Sequence, residues 1–232
     1  QSYNFKVADN VYNEVIKTAL KTFYLQRCNT PKHQVHVGSA WADAQACHLG
    51  DQNTGPASGH TNVGTKDLTG GWHDAGDYNK YVWTAVSGAV LNMLTAYEDN
   101  PGVFTDDFNI PESGNGRPDI LDEIKWELDW LLKMQLSDGS VLYQTHVAGF
   151  SSDSPPSADS NLRYYQNPTL ESGSYFLAAW LWLHVFSKMK AIASTRRLYS
   201  MLQKTLGPGY KPRTEAKKKS GQSPNYFGPT LT

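Results

Sequence analysis

Apolar residues recur at helical spacing in four stretches of the chain, and long polar stretches separate them. In residues 10–27, Val11, Val15, Ile16, Ala19, Leu20 and Phe23 share one stripe, with Asn10 placed to cap the first turn, which predicts a first helix. Residues 81–97 repeat the pattern through Val82, Val86, Val90, Met93, Leu94 and Tyr97, and Asn100, Pro101 and Gly102 stop it. Pro118 and Asp119 open a third helix, in which Leu121, Ile124, Leu128, Leu131 and Leu132 form the stripe and the other face is acidic. Ser137, Asp138 and Gly139 end it, and a fourth apolar segment spans residues 175–192, continued past a break to Leu206.

Between the first two helices lies a Gly-, Asn-, Thr- and His-rich run from about residue 29 to 77, with a short helical piece expected at 41–47. Loops of that length usually carry function or are disordered. No run of alternating apolar and polar residues dominates, so the expected class is all-α, built from helical hairpins with long loops. Residues 1–206 read as one domain and 207–232 as an irregular tail.

Composition narrows the function classes. An apolar share of 39% and an aromatic share of 12%, with 7 Trp and 13 Tyr, exclude a disordered chain and suit stacking on sugar rings. A formal charge of -1 supplies no basic field for phosphate backbones, so nucleic acid is not an expected partner. Lys217, Lys218 and Lys219 sit in Gly/Pro/Ser-rich text and read as solvated charge. No segment approaches the roughly 18 apolar residues that a membrane span needs. A start at Gln1 fits a mature secreted chain whose signal has been removed.

The chemistry concentrates in residues 69–81, Thr69-Gly70-Gly71-Trp72-His73-Asp74-Ala75-Gly76-Asp77-Tyr78-Asn79-Lys80-Tyr81. Taken alone, the Asp-Ala-Gly-Asp tetrad is a turn whose side chains cap backbone groups. In its flanking text it resembles the catalytic signature of glycoside hydrolase family 9. Two further motifs are similar to that family, Asn109-Ile110-Pro111-Glu112-Ser113-Gly114-Asn115-Gly116-Arg117-Pro118-Asp119-Ile120-Leu121-Asp122-Glu123 and, more loosely, Ser157-Ala158-Asp159-Ser160-Asn161-Leu162-Arg163-Tyr164-Tyr165, the latter of a bacterial type. The resemblance covers residues 12–168.

The resemblance implies the N-terminal part of an (α/α)6 barrel. About twelve helices with their connections need roughly twice this length, so the barrel is expected to be incomplete, truncated or divergent after about residue 170. There Trp180, Leu181, Trp182 and Leu183 replace the expected Ala-rich helix. It also implies a secreted, inverting endo-β-1,4-glucanase acting on cellulose or related β-glucans. Inversion requires two carboxyl groups standing roughly 6.5–9.5 Å apart around a water. Asp77 would be the general base and Asp74 the carboxylate that orients the water. Gly76 would allow the tight turn between them, and Gly70 and Gly71 would let backbone approach a substrate closely.

The family's general acid is a glutamate that matches nothing here, since neither Glu171 nor Glu215 lies in similar text. A catalytically impaired fragment or sugar-binding module is therefore the alternative, with another helical-barrel glycosidase as a third reading. The chain is expected to be a monomer unless dimerisation completes the barrel.

Cys28, Cys47, His48 and His73 resemble a structural zinc site of bacterial members, with a disulfide between the only two cysteines as the alternative and His60 as a substitute ligand. Calcium would find oxygen ligands at Asp106 and Asp107 or in residues 153–159. Trp72, Tyr78, Tyr81 and His146, with Trp41 and Trp83, are candidate sugar-binding residues, whereas Trp126, Trp130, Trp180 and Trp182 read as core.

Overall fold

The computed structural model describes residues 3–5, 7–150 and 153–185, so the expectations for Glu215, the lysine run and the tail lie outside the described residues. Helix α1 is Asn13–Gln26, and its stripe lays Ile16, Leu20 and Phe23 against the core. It begins later than the sequence suggested, after Tyr12, and Asn10 contributes its backbone carbonyl to the first turn rather than a side-chain cap. A one-turn α2, Gln34–Val37, and 3-10 turns at Ser39–Trp41 and Leu49–Asn53 are all that is helical in the long loop. The helical piece expected at 41–47 is not formed. Cys47 and His48 hang instead on Asn29, whose side-chain amide donates to their carbonyls at 3.1 and 2.7 Å.

The second predicted helix is present in two windings. Thr84–Val90 is π-helical and Leu91–Asp99, α3, is α-helical, with Val82, Val86 and Val90 all fully buried. Such wide turns are rare and cluster at functional sites. Helix α4, Asp119–Met134, packs on α1 and α3 through Ile120, Leu121, Ile124, Leu128 and Leu131. Its acidic face is not a solvent face, because Asp119, Asp122, Glu123 and Glu127 are all buried.

Helix α5, Leu170–Val185, starts about one turn before the apolar run that predicted it. Thr169 Oγ1 accepts the Ser172 N–H at 3.0 Å, a capped start ahead of the hydrophobic pattern. Trp130 and Trp180 are core residues, and Trp126 and Trp182 pack against the core half-buried, all as the sequence indicated.

The departure from an all-α chain is a small four-stranded sheet in the order β1-β4-β3-β2. Its strands are β1 (Gly55–Pro56), β2 (Lys80–Tyr81), β3 (Gln144–Val147) and β4 (Arg163–Tyr165). Strands of two to four residues are too short to display a period-2 pattern, which explains why none was visible. The sheet nevertheless positions the site. Its register sets Lys80 opposite Thr145 and Val147 opposite Arg163, which draws the 69–81 signature and residue 163 together.

Candidate active site and metal centre

The signature segment is anchored at both ends. On the near side, an isolated bridge pairs Arg27 with Trp72, so Cys28 donates its N–H to Gly71 and His73 donates to Gln26, each at 2.8 Å. This bridge brings Cys28 and His73 alongside each other from opposite ends of a long loop. On the far side the segment runs into β2.

Between the anchors, residues 74–79 form a closed turn. The Asp74 N–H donates to the Asn79 carbonyl at 2.8 Å and the Tyr78 N–H to Ala75 at 3.1 Å, with Tyr78 at φ 58°. Asp74 is exposed and Asp77 half-buried. Asp77 Oδ1 accepts the Asn79 backbone N–H at 3.2 Å, and its Oδ2 accepts the Asn79 side-chain amide at 2.7 Å. Asn79 Oδ1 in turn accepts the Val147 N–H at 3.0 Å, which fixes the amide so that its NH2 faces Asp77.

The expectation for the glycines needs correction. Gly70 and Gly71 carry positive φ of 95° and 74°, but Gly71 abuts the Trp130 indole, where a Cβ would stand 2.7 Å from the ring. The close approach is to the core and not to open space. Gly76 has no positive φ and nothing within 4 Å of an added Cβ, so the turn does not require glycine there.

Two concavities meet at the turn. A groove of about 870 Å³ takes Ala75, Gly76 and Tyr78 on one side and Trp41, Lys17 and Pro155 among its other walls. A smaller cavity of about 210 Å³ is lined by Asp74, Tyr81, Trp72, Phe23 and Thr84, the last at the start of the π-helical segment. Trp41, 67% exposed, stands in the larger groove with a free indole face, and Trp83 is also exposed.

The other aromatic candidates are less available. Trp72 is buried against Phe23, and its indole N–H donates to Glu123 at 2.8 Å. It walls the smaller cavity from behind and offers no open platform. Tyr78 packs its ring against His48 and His73, at centroid distances of 5.5 and 5.0 Å, and donates its hydroxyl to the Asp153 carbonyl. Tyr81 edges the smaller cavity and accepts from Asn79 at 3.1 Å. His146 lies in β3 with Nδ1 on the Val147 carbonyl at 2.6 Å and Nε2 on the Gln166 amide at 3.2 Å.

Cys28, Cys47, His48 and His73 come together as a buried group whose ligand atoms all lie within 4.8 Å of one another. The sulfurs are 3.8 Å apart and both cysteines are free, against about 2.05 Å for a disulfide. Cys28 Sγ to His48 Nδ1 and Cys47 Sγ to His73 Nε2 also measure 3.8 Å. A tetrahedral site with bonds of about 2.3 Å to sulfur and 2.0–2.1 Å to nitrogen separates its donors by roughly 3.3–3.8 Å, so the donor set fits a metal of that geometry. His48 Nε2 meets Asp159 Oδ2 at 3.1 Å, the usual outward partner of a ligating imidazole.

The electrostatics favour a thiolate at Cys28. Burial works against the charged form, but the Cys47 contact and the Arg163 and Lys80 charges hold the Cys28 thiol well below the usual range. The same contact with Cys28, together with burial, pushes the Cys47 thiol up.

His60 does not join this group. Its Nδ1 accepts the Asn167 N–H at 3.1 Å. The acidic loops are likewise engaged within the protein. Asp106 accepts backbone N–H groups of Gly114 and Gly116 at 2.7 and 2.6 Å, and Asp107 pairs with Lys17 at 2.8 Å. Among the described residues, neither loop contributes to a cluster of three or more metal-ligating side chains.

The glycosyl hydrolase family 9 profile matches residues 12–196. The chain belongs to glycosyl hydrolase family 9. Endoglucanase D of Acetivibrio thermocellus is 39% identical over 173 residues, covering 71% of this chain and 26% of that protein. A xyloglucan-specific endo-β-1,4-glucanase of Bacteroides ovatus is 33% identical over 187 residues, covering 76% of this chain and 31% of its own length. This family 9 chain thus spans between a quarter and a third of these relatives.

Among solved structures, a Bacteroides ovatus family 9 protein superposes with a TM-score of 0.74 at 28% identity, over 87% of this chain and 38% of the other. A Zn-binding triple mutant of the family 9 endoglucanase J30 superposes at 0.72 and 27% identity, over 88% and 38%. The mainly helical architecture is that of the family. Among the described residues, no helix is long and apolar enough to cross a membrane.

Sequence reasoning named the acids and the metal group but passed over their supports. Asn79 and Lys80 stand inside the quoted signature, and Arg163 and Asp159 inside the third motif. Lys80 Nζ is fully buried and donates to Asp51 at 3.0 Å and to the Leu68 and Gly70 carbonyls at 2.6 and 2.9 Å, closing the loop beneath the signature.

Proposed function

We propose that this chain carries the water-activating side of a secreted, inverting endo-β-1,4-glucanase that cleaves cellulose or related β-glucans. One observation supports the reading most: a family 9 signature folded into a turn whose Asp77 carboxylate is half-buried and hydrogen-bonded by Asn79, while the exposed Asp74 lines the smaller cavity and Ala75, Gly76 and Tyr78 line the larger groove. In this reading Asp77 accepts the proton of a water that attacks the anomeric carbon, and Asp74 orients that water. The Asn79 backbone and side-chain amides would fix the orientation of the Asp77 carboxylate. Trp41 would stack on a sugar ring along the groove.

Cys28, Cys47, His48 and His73 would hold a structural zinc ion, which would tie the long loop to the residue before Asp74. Zinc would supply cross-linking and no chemistry to the reaction.

A second reading is favoured by the described glutamates. Glu123 is tied to Arg27 and Trp72, Glu127 is fully enclosed, and Glu171 is exposed at the start of α5. Among the described glutamates only Glu14 lines the larger groove, 3.7 Å from Lys17, and in this reading it does not protonate the leaving group, so the isolated chain would bind β-glucan without cleaving it, and the acid would come from elsewhere in the complete enzyme.

Release of reducing sugar from carboxymethylcellulose, measured beside retention of cello-oligosaccharide, separates the two. Turnover by this chain that Asp77→Asn abolishes supports the first reading. Retention with no turnover supports the second. Neither binding nor turnover would refute both.

A further inference from the structure

One side chain outside the signature touches both the metal group and the catalytic turn. Arg163, on β4 with its side chain 1% exposed, donates Nε to Asp51 Oδ1 at 3.0 Å and Nη2 to Asp51 Oδ2. The same Nη2 reaches Cys28 Sγ at 2.7 Å. Its Nη1 donates to the backbone carbonyl of Tyr78, the residue after Asp77.

A single planar guanidinium therefore spans the Cys28 sulfur, a buried carboxylate and the peptide that closes the Asp77 turn, the multi-donor fork geometry that lysine does not reproduce. Tyr78 itself sits at φ 58°, in the left-handed region that a non-glycine residue occupies only when neighbours hold it there. Its ring rests on His48 and His73, so the same residue is held from its side chain by the metal group and from its carbonyl by Arg163.

We infer that Arg163 is a positioning residue that couples occupancy of the Cys28/Cys47/His48/His73 site to the conformation of the Asp77 turn. The inference rests on the metal reading above and adds to it a route by which a buried, chemically silent ion affects the base. With the ion bound, the Cys28 sulfur is held in place and accepts from Arg163. The guanidinium is then held in the orientation that donates to Tyr78, and the hydrogen bonds from Tyr78 N–H to Ala75 and from Asp74 N–H to Asn79 stay closed. Asp51 carries the compensating charge on Arg163 and Lys80.

The test is hydrogen–deuterium exchange of the peptide containing residues 74–81, in zinc-loaded and chelator-stripped protein, for the wild type, Arg163→Gln and Arg163→Lys. The zinc-to-protein ratio is measured for each. In the wild type, stripping is expected to speed exchange in this peptide by about 10-fold, a typical coupling magnitude. In the variants, exchange is already fast with zinc bound, and stripping adds little. Arg163→Lys retains the charge beside Cys28 and Asp51, so it carries the test if the Gln variant does not fold.

Equal acceleration on stripping in wild type and variant, at a ratio near one, overturns the coupling while leaving the zinc reading intact. A ratio near zero in the wild type overturns both. None of these outcomes depends on turnover, so they are independent of the hydrolase assignment.

Discussion

Asn79 holds Asp77 by two donors, its backbone N–H at 3.2 Å on one carboxylate oxygen and its side-chain amide at 2.7 Å on the other. The side chain cannot flip without losing the Val147 N–H at 3.0 Å. A carboxylate held this way keeps one orientation, with both oxygens set against fixed donors.

Removing that support should act on the chemical step. Asn79→Ala is expected to lower kcat on the order of 10²-fold, the cost of misplacing a catalytic group, with little change in KM. Reducing-sugar kinetics in whichever form of the enzyme turns over would measure it. A rise in KM at constant kcat would assign Asn79 to sugar binding instead.

The core behind the turn makes a prediction from glycine alone. Gly71→Ala places a Cβ against the Trp130 ring at φ 74° and should destabilise by about 2 kcal/mol or more. Gly76→Ala has open space and ordinary backbone, and should stay within about 1 kcal/mol of wild type. Chemical denaturation of the pair checks the order, and equal losses would contradict the packing described.

Glu127 gives the fold a pH dependence. Burial pushes its carboxyl up to about 8 from an ordinary 4.5, despite the Trp72 N–H on Oε2 and the Lys80 charge. Between those values the native state keeps a proton that the unfolded chain has released. Stability from this group is therefore full below about pH 4.5 and is lost as pH rises through 8. Glu127→Gln should match wild type near pH 5 and exceed it near pH 8 in thermal unfolding. Parallel curves for the two proteins would contradict the enclosed, protonated carboxyl.

The outward partner of His48 should matter to the metal. Asp159→Asn weakens the 3.1 Å contact to Nε2 and is expected to cost about 10- to 100-fold in zinc affinity, read by competition with a chromophoric chelator. Unchanged affinity would separate Asp159 from the metal site.

How much of this was legible in the sequence follows from the range of each interaction. Helices α1 and α4 were readable because a stripe such as Leu121, Ile124, Leu128 and Leu131 is a local, repeating signal. Cys28, Cys47, His48 and His73 were named through the resemblance to the family, and the fold brings their ligand atoms within 4.8 Å of one another. The sheet was not readable, since strands as short as Lys80–Tyr81 and Gly55–Pro56 exist only through partners distant in sequence, Lys80 with Thr145 and Gly55 with Tyr164. For the same reason Trp72 and Tyr78, aromatic and next to the acids, looked available for sugar. Only the fold shows their polar atoms committed to Glu123 and Asp153. The burial of Glu123 in α4 had no sequence signal either, because its partner Arg27 lies just past the end of α1.

The most direct test of the central claim follows the anomers by proton NMR as an active form of the enzyme cleaves a cello-oligosaccharide, in wild type and in Asp77→Asn. The account predicts that the α-anomer appears first and that Asp77→Asn is slower by about 10² to 10⁴-fold, the worth of a general base. First appearance of the β-anomer, or an Asp77→Asn variant as fast as wild type, would contradict it.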